Sequence, residues 1–208
     1  MWEVFLFVNP LGSYCLKTER TILEFVKKHN IQAHFNFIAI TNMENVNDIL
    51  ENVFDNTTDL ELRNEITIAA YDAALTYKAA ACQGKKKARE LLMSIQYAFN
   101  ELNREYNNDL VKEITTKLNI DFKELIADKE CDLVNSSFQA DQLLAREMNV
   151  THTPSTVIFN YDANDSNGLL IDNCQSSDEL IAILLDLYQQ NNSNLLEQNI
   201  IDLSFYQN

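Results

Sequence analysis

Apolar and polar positions alternate along this chain in two registers, and the change of register marks out its elements. Residues 2 to 8 (WEVFLFV) form a near-continuous apolar run of strand length, and Ala33 to Ile40 alternates, with His34 and Asn36 on one side and Phe35 and Phe37 on the other. A helix is predicted between them, because Cys15, Ile22, Val26 and His29 follow one another at spacings of 7, 4 and 3, which places them on one helical face. That face aims Cys15 into the core.

From about Asn45 to Met148 strand signals vanish and helical periodicity takes over. The block holds Ile49, Val53 and Phe54; the alanine-rich run Ile68 to Cys82; Ala88 to Leu102 after the stop-and-start pair Gln83-Gly84; Leu110 to Leu118; Phe122 to Ile126 behind the N-cap candidate Asp121; and a long helix from about Leu133 to Met148. Strand character returns in Ser155 to Asn160 (STVIFN). A turn rich in Asp, Asn and Gly (162 to 168) joins it to a short strand, Leu169 to Ile171. That turn lacks the distal Glu and the correctly placed glycine of a calcium loop. Ser176 or Ser177 then caps a last amphipathic helix with Leu180, Ile181, Leu184, Leu185 and Tyr188, and the residues from Gln189 on are rich in Asn and Gln. The order is β-α-β, a block of helices, then β-β-α.

Composition narrows what such a chain can do. At 208 residues, 46% hydrophobic, with 3 Gly and 2 Pro, it can bury one good core. Its 31 acidic and 16 basic residues leave a formal charge of −15, which repels phosphate backbones and anionic membrane surfaces, so neither nucleic acid nor membrane is an expected partner. The one dense basic run, Lys85, Lys86, Lys87 and Arg89, reads as the solvated face of a helix. No segment reaches the ~20 apolar residues that span a bilayer. The N-terminus shows no basic leader or cleavage site, so a cytoplasmic location is expected. Cys15, Cys82, Cys131 and Cys174 are widely spaced, with no CxxC and no paired histidines. This suggests free thiols rather than a metal site or a disulfide framework.

The two outer units are the halves of a thioredoxin fold, and a helical insertion between them is the arrangement of the DsbA type. The expected fold class is therefore α/β: 1–42 and 131–190 form a discontinuous thioredoxin-like domain, 43–130 an inserted helical subdomain and 191–208 a polar tail. Three stretches, FVNPLGSYC at the start, YDAALTYKAAACQGKKKARELL at Tyr71 to Leu92 and NVTHTPSTVIFN at Asn149 to Asn160, resemble the Spx-adaptor family within this superfamily.

The resemblance has consequences residue by residue. In DsbA-like proteins a cysteine pair fills the positions held here by Gly12 and Cys15, the first being the nucleophile that the helix N-terminus activates. Gly12 cannot supply a thiolate, and Cys15 matches the shielded, resolving cysteine. The motif Gly12-Ser13-Tyr14-Cys15 is thus degenerate, and no catalytic residue or cofactor is assigned. Thr153-Pro154 matches the loop that carries a cis-proline opposite this helix, where an extended peptide can add to exposed backbone. The alternative is an ordinary proline at a strand start. Tyr14, Thr153 and Pro154 are the candidate partner-binding residues.

The function implied is that of an adaptor, which binds the Spx transcriptional regulator and delivers it to the ClpXP protease. Larger family members carry a further C-terminal domain, whereas about 20 residues follow the last predicted helix here. The alternative is a thiol-disulfide oxidoreductase or isomerase working through a GxxC site. A kappa-type glutathione enzyme would need its hydroxyl at position 12, one before Ser13. His152 reads as a solvated or hydrogen-bonded side chain, with proton donation to Cys15 as the other option. Cys82 is expected to be buried on its alanine-rich helix, and Cys131 and Cys174 to be exposed at element starts.

Overall fold

The computed structural model describes residues 1–54, 58–161, 168–172 and 174–202. Strand β1 (Trp2–Val8) runs into helix α1 (Cys15–Lys28) and returns as β2 (Ala33–Ala39). A helical series follows: α2 (Met43–Phe54), α3 (Leu60–Cys82), α4 (Lys85–Asn100), α5 (Asn108–Lys117), α6 (Phe122–Lys129) and α7 (Asp132–Glu147). The chain closes with β3 (Ser155–Asn160), β4 (Leu169–Ile171) and α8 (Ser177–Asp202). The sheet order is β2-β1-β3-β4, with β2 parallel to β1 (Trp2 opposite Ala33) and β3 and β4 antiparallel to their neighbours. These are the βαβ and ββα halves of a DsbA-like thioredoxin fold, with helices inserted between them. The 162–167 part of the expected turn lies outside the described residues.

Strand β1 is apolar on both sides because both sides are covered. Trp2, Val4, Leu6 and Val8 enter the main core with residues of α1, α3, α4 and α8, while Phe7 joins Ile38, Ile40, Ala145, Val150 and Val157 on the opposite face, under α7. Each such side chain contributes roughly 1.5–3 kcal/mol of burial. In α3, Ala70, Ala73, Ala74, Ala79 and Ala80 are fully buried, small enough to let neighbouring helices approach its backbone.

Helix ends follow local chemistry. Asp59 accepts from the N–H groups of Glu61 and Leu62 and Asp121 from those of Lys123 and Glu124, so α3 starts well before the alanine run. Gly84 sits at φ 131, open to glycine, between α3 and α4. Asparagine fills left-handed positions elsewhere, with Asn30, Asn119 and Asn149 at φ 51, 53 and 55 just past α1, α5 and α7. Helix α8 continues to Asp202, into the stretch expected to be a polar tail, since no Gly or Pro interrupts it.

The outer edge of β2 is closed by side chains at its C-terminal end. Asp141 Oδ2 accepts from Ala39 N at 3.0 Å, Gln142 accepts from Thr41 N and donates to Ala39 O, and the Tyr77 hydroxyl donates to Phe37 O at 3.0 Å. Lys78 holds Asp141 in place at 2.8 Å, in a pair whose side chains are 12% and 9% exposed.

Candidate functional site

The turn between β1 and α1 is built by Asn9. Its side-chain oxygen accepts from Leu11 N at 2.9 Å, its carbonyl from Gly12 N at 3.0 Å, and its amide donates to Ile40 O at 3.3 Å. Its own N–H donates to Cys15 Sγ at 3.4 Å. Cys15 is fully buried at the first position of α1. A Cβ added at Gly12 would stand 2.8 Å from Cys15 Sγ and 3.3 Å from Asn9. The thiol therefore packs against the bare glycine Cα.

Across from this turn the Thr153–Pro154 peptide is cis, as the loop resemblance implies. The Thr153 hydroxyl hydrogen-bonds the sulfur and favours its thiolate, as does the Asn9 N–H. Burial outweighs both and, with the Glu19 carboxylate adding repulsion, pushes the thiol up to about 12. At neutral pH Cys15 is a protonated thiol without solvent access.

Beneath the turn lies Glu19, on the same helical face as Cys15 and fully buried. Gln96 Nε2 donates to Glu19 Oε1 at 2.7 Å and lies 3.4 Å from Asn9 O; Asn100, one turn on, donates to Gly12 O at 3.2 Å. Glu19 Oε2 and Gln96 Oε1 are buried without a hydrogen-bond partner. Burial raises the Glu19 carboxyl to about 8, against the opposing pull of Gln96, Arg20 and Arg89.

Helix α2 flanks the site from outside. Tyr14 OH donates to Asn52 at 3.5 Å, Asn42 donates to Thr151 O at 2.7 Å, and His152 Nε2 stands 3.9 Å from Glu44. Glu44, Asp48 and Glu51 form a stripe at helical spacing, and burial with mutual repulsion raises Asp48 despite His152. The structure thus brings Gly12, Cys15, Thr153 and Pro154 together but buries all four, while Ser13 and Tyr14 are half-buried. The accessible surface around them presents Tyr14, His152 and the acidic stripe.

The sequence patterns do not single out Asn9, Glu19 and Gln96. Glu19 completes the heptad stripe of Cys15, Ile22 and Val26, and a carboxylate on that stripe was the available signal. Two cysteine expectations are corrected. Cys82, the last residue of α3, projects past the packed alanine face and is exposed; Cys174 is buried, its carbonyl taking the Thr18 hydroxyl at 3.5 Å. Cys131 is exposed as expected. Among the described residues no helix is long and apolar enough to cross a membrane, and no three His, Cys, Asp or Glu side chains are grouped to hold a metal ion.

A four-stranded βαβ/ββα sheet, a cis-proline loop and a cysteine at the first position of the helix that follows β1 define a thioredoxin-like protein of the DsbA plan. The Thioredoxin family profile matches residues 5–181, and the chain belongs to that family. Among curated proteins it is similar to the ClpXP adapter protein SpxH of Bacillus cereus, 25% identical over 203 residues, covering 89% of this chain and 68% of the relative. The SpxH of Bacillus subtilis is 23% identical over 201 residues, covering 89% and 67%. Among solved structures, DsbA from Xylella fastidiosa superposes with a TM-score of 0.62 at 14% identity, covering 92% of this chain and 87% of that one. Pseudomonas aeruginosa DsbA gives 0.59 at 12%, covering 93% and 85%. The resemblance first carried by three motifs thus extends along most of the chain, and the DsbA likeness is one of fold.

Proposed function

We propose that this protein is a non-enzymatic protease adaptor that binds the Spx transcriptional regulator and promotes its degradation by ClpXP in the cytoplasm. The observation that carries the reading is similarity over 89% of the chain to proteins named ClpXP adapter protein SpxH. The site supports it: the nucleophile position is Gly12, and the remaining thiol is buried, protonated and packed against that glycine. An adaptor needs no activated group, only surfaces that raise the local concentration of one protein beside another.

In this reading residues 1–42 and 131–190 are the thioredoxin-like scaffold, 43–130 is the inserted helical subdomain, and half-buried Tyr14 is the most accessible contact of the Tyr14, Thr153 and Pro154 set. The charge of −15 speeds encounter with a basic partner at low salt. The test is the rate at which reconstituted ClpXP degrades Spx in reducing buffer, with and without this protein. Acceleration is expected, equal for wild type and Cys15→Ala. An unchanged rate, together with capture of thiol substrates by wild type and not by Cys15→Ala, would overturn the adaptor reading in favour of an oxidoreductase working through the GxxC motif.

A further inference from the structure

Away from the degenerate redox turn, a groove of about 810 Å³ opens between the end of α2, the first half of α3 and the α4–α5 connection. Its floor is apolar, formed by Val53, Leu62, Ile66, Ala69 and Phe99. Phe54, edge-on to Phe99 at 6.3 Å, and Ile68 rise beside it at 39% and 69% exposure, so large apolar side chains face water along its walls.

The polar groups at one end are already committed to each other. Lys129 binds both carboxylate oxygens of Asp72 at 2.8 and 2.9 Å, and Tyr106 donates to Asp72 at 2.8 Å. None of the buried side-chain atoms found without a partner among the described residues belongs to a lining residue. Small-molecule sites fix their ligand with a few convergent polar groups, whereas here the half-buried polar groups are taken up by one another and the uncommitted carboxylates, Glu65 and Glu105, stand exposed on the rim. Its rim is acidic in balance: Arg104 is held by Glu113 at 2.8 Å and Lys129 by Asp72, whereas Glu65 and Glu105 are exposed and make no ion pair among the described residues.

We infer that this groove docks an amphipathic helix of a partner protein, with apolar anchors at i, i+3, i+4 and i+7 on the floor and Lys or Arg side chains flanking them against Glu65 and Glu105. A helix brings its apolar side chains in one row and keeps its polar backbone satisfied, so it needs no free donor or acceptor from the groove. The basic flanks supply the charge that the rim lacks. The inference is independent of the adaptor reading, because it is tested on the purified chain without any protease.

The probe is a fluorescein-labelled synthetic peptide of about 18 residues with Leu and Phe at the anchor spacing and Lys on the flanks. Two controls accompany it, one with Glu flanks and one with Ser in place of the anchors. Fluorescence anisotropy at about 50 mM salt is expected to give a Kd on the order of 10 µM for the Lys-flanked peptide, and at least tenfold weaker binding for both controls. Ile68→Asp makes the rim more acidic yet should weaken binding at least tenfold, and Glu65→Lys with Glu105→Lys should reverse the preference between Lys and Glu flanks. Ile68 is largely exposed, so its variant keeps the fold, which thermal unfolding verifies. Equal binding of the Ser control, wild-type affinity in Ile68→Asp, or no binding of any peptide would each overturn the inference. So would absence of peptide binding combined with bis-ANS fluorescence that Ala69→Phe abolishes, which would assign the groove to a small apolar ligand.

Discussion

Replacing Glu19 by glutamine tests the electrostatics under the redox turn directly. In the folded protein the Glu19 carboxyl keeps its proton up to about 8, while its ordinary value is 4.5. Between those values the folded state binds a proton that the unfolded chain has released, so stability falls as pH rises through the window. At ~1.4 kcal/mol per unit, the loss between about pH 5 and pH 8 has a ceiling of about 3.5 kcal/mol. Glutamine has the shape of the protonated acid, can keep the bond from Gln96 Nε2, and has no charge to lose. Glu19→Gln should match wild type near pH 5 and exceed it near pH 8, by up to about 3.5 kcal/mol or about 7–14 °C in Tm for a domain of this size. Urea unfolding at several pH values, with the two slopes compared, isolates Glu19 from the other carboxyls. Parallel pH profiles, or a variant less stable at pH 8, would refute the account of a buried neutral acid.

Three further outcomes are expected. Under iodoacetamide near pH 8, Cys131 should be modified first and Cys15 at least about 100-fold more slowly, because its thiol is buried and raised to about 12; peptide mass spectrometry showing Cys15 among the first sites would contradict this. Gly12→Cys should oxidise readily with oxidised glutathione, since a Cβ placed 2.8 Å from Cys15 Sγ is close to the about 3 Å spanned across a Cβ–S–S angle; a thiol count that stays at five would show the turn is not held as described. Lys78→Met leaves Asp141 buried without its partner and should cost about 3–5 kcal/mol, with Lys78→Met plus Asp141→Leu regaining part of it; denaturant midpoints of the single and double variants decide the point.

The fold was readable because its halves obey simple periodicities. β1 is apolar on both sides because it is central, and STVIFN is β-branched and bounded by Pro154 and a polar turn. Element starts were readable where a cap was recognised, as at Asp121, and lost where it was not, as at Asp59, which opens α3 eight residues before the alanine run at Ile68. The site was half legible. The degenerate motif and the proline loop are contiguous in sequence, so likeness finds them. The contact of Gln96 with Glu19 joins residues 77 positions apart, and no local pattern reports it. The burial of Thr153 and Pro154 beside α2 likewise depends on how a distant helix packs.

The closed edge of β2 has a bearing on the company this protein can keep. A strand edge with free N–H and C=O groups is a template on which any extended chain can zip up. Tyr77, Asp141 and Gln142 occupy those groups at Phe37, Ala39 and Thr41, and the sheet's other border is the three-residue β4. For a molecule proposed to hold another protein on its way to destruction, that plugging disfavours a shared sheet of client and carrier at this end of β2. A cargo held under the proposed role would meet one barrier fewer to its departure.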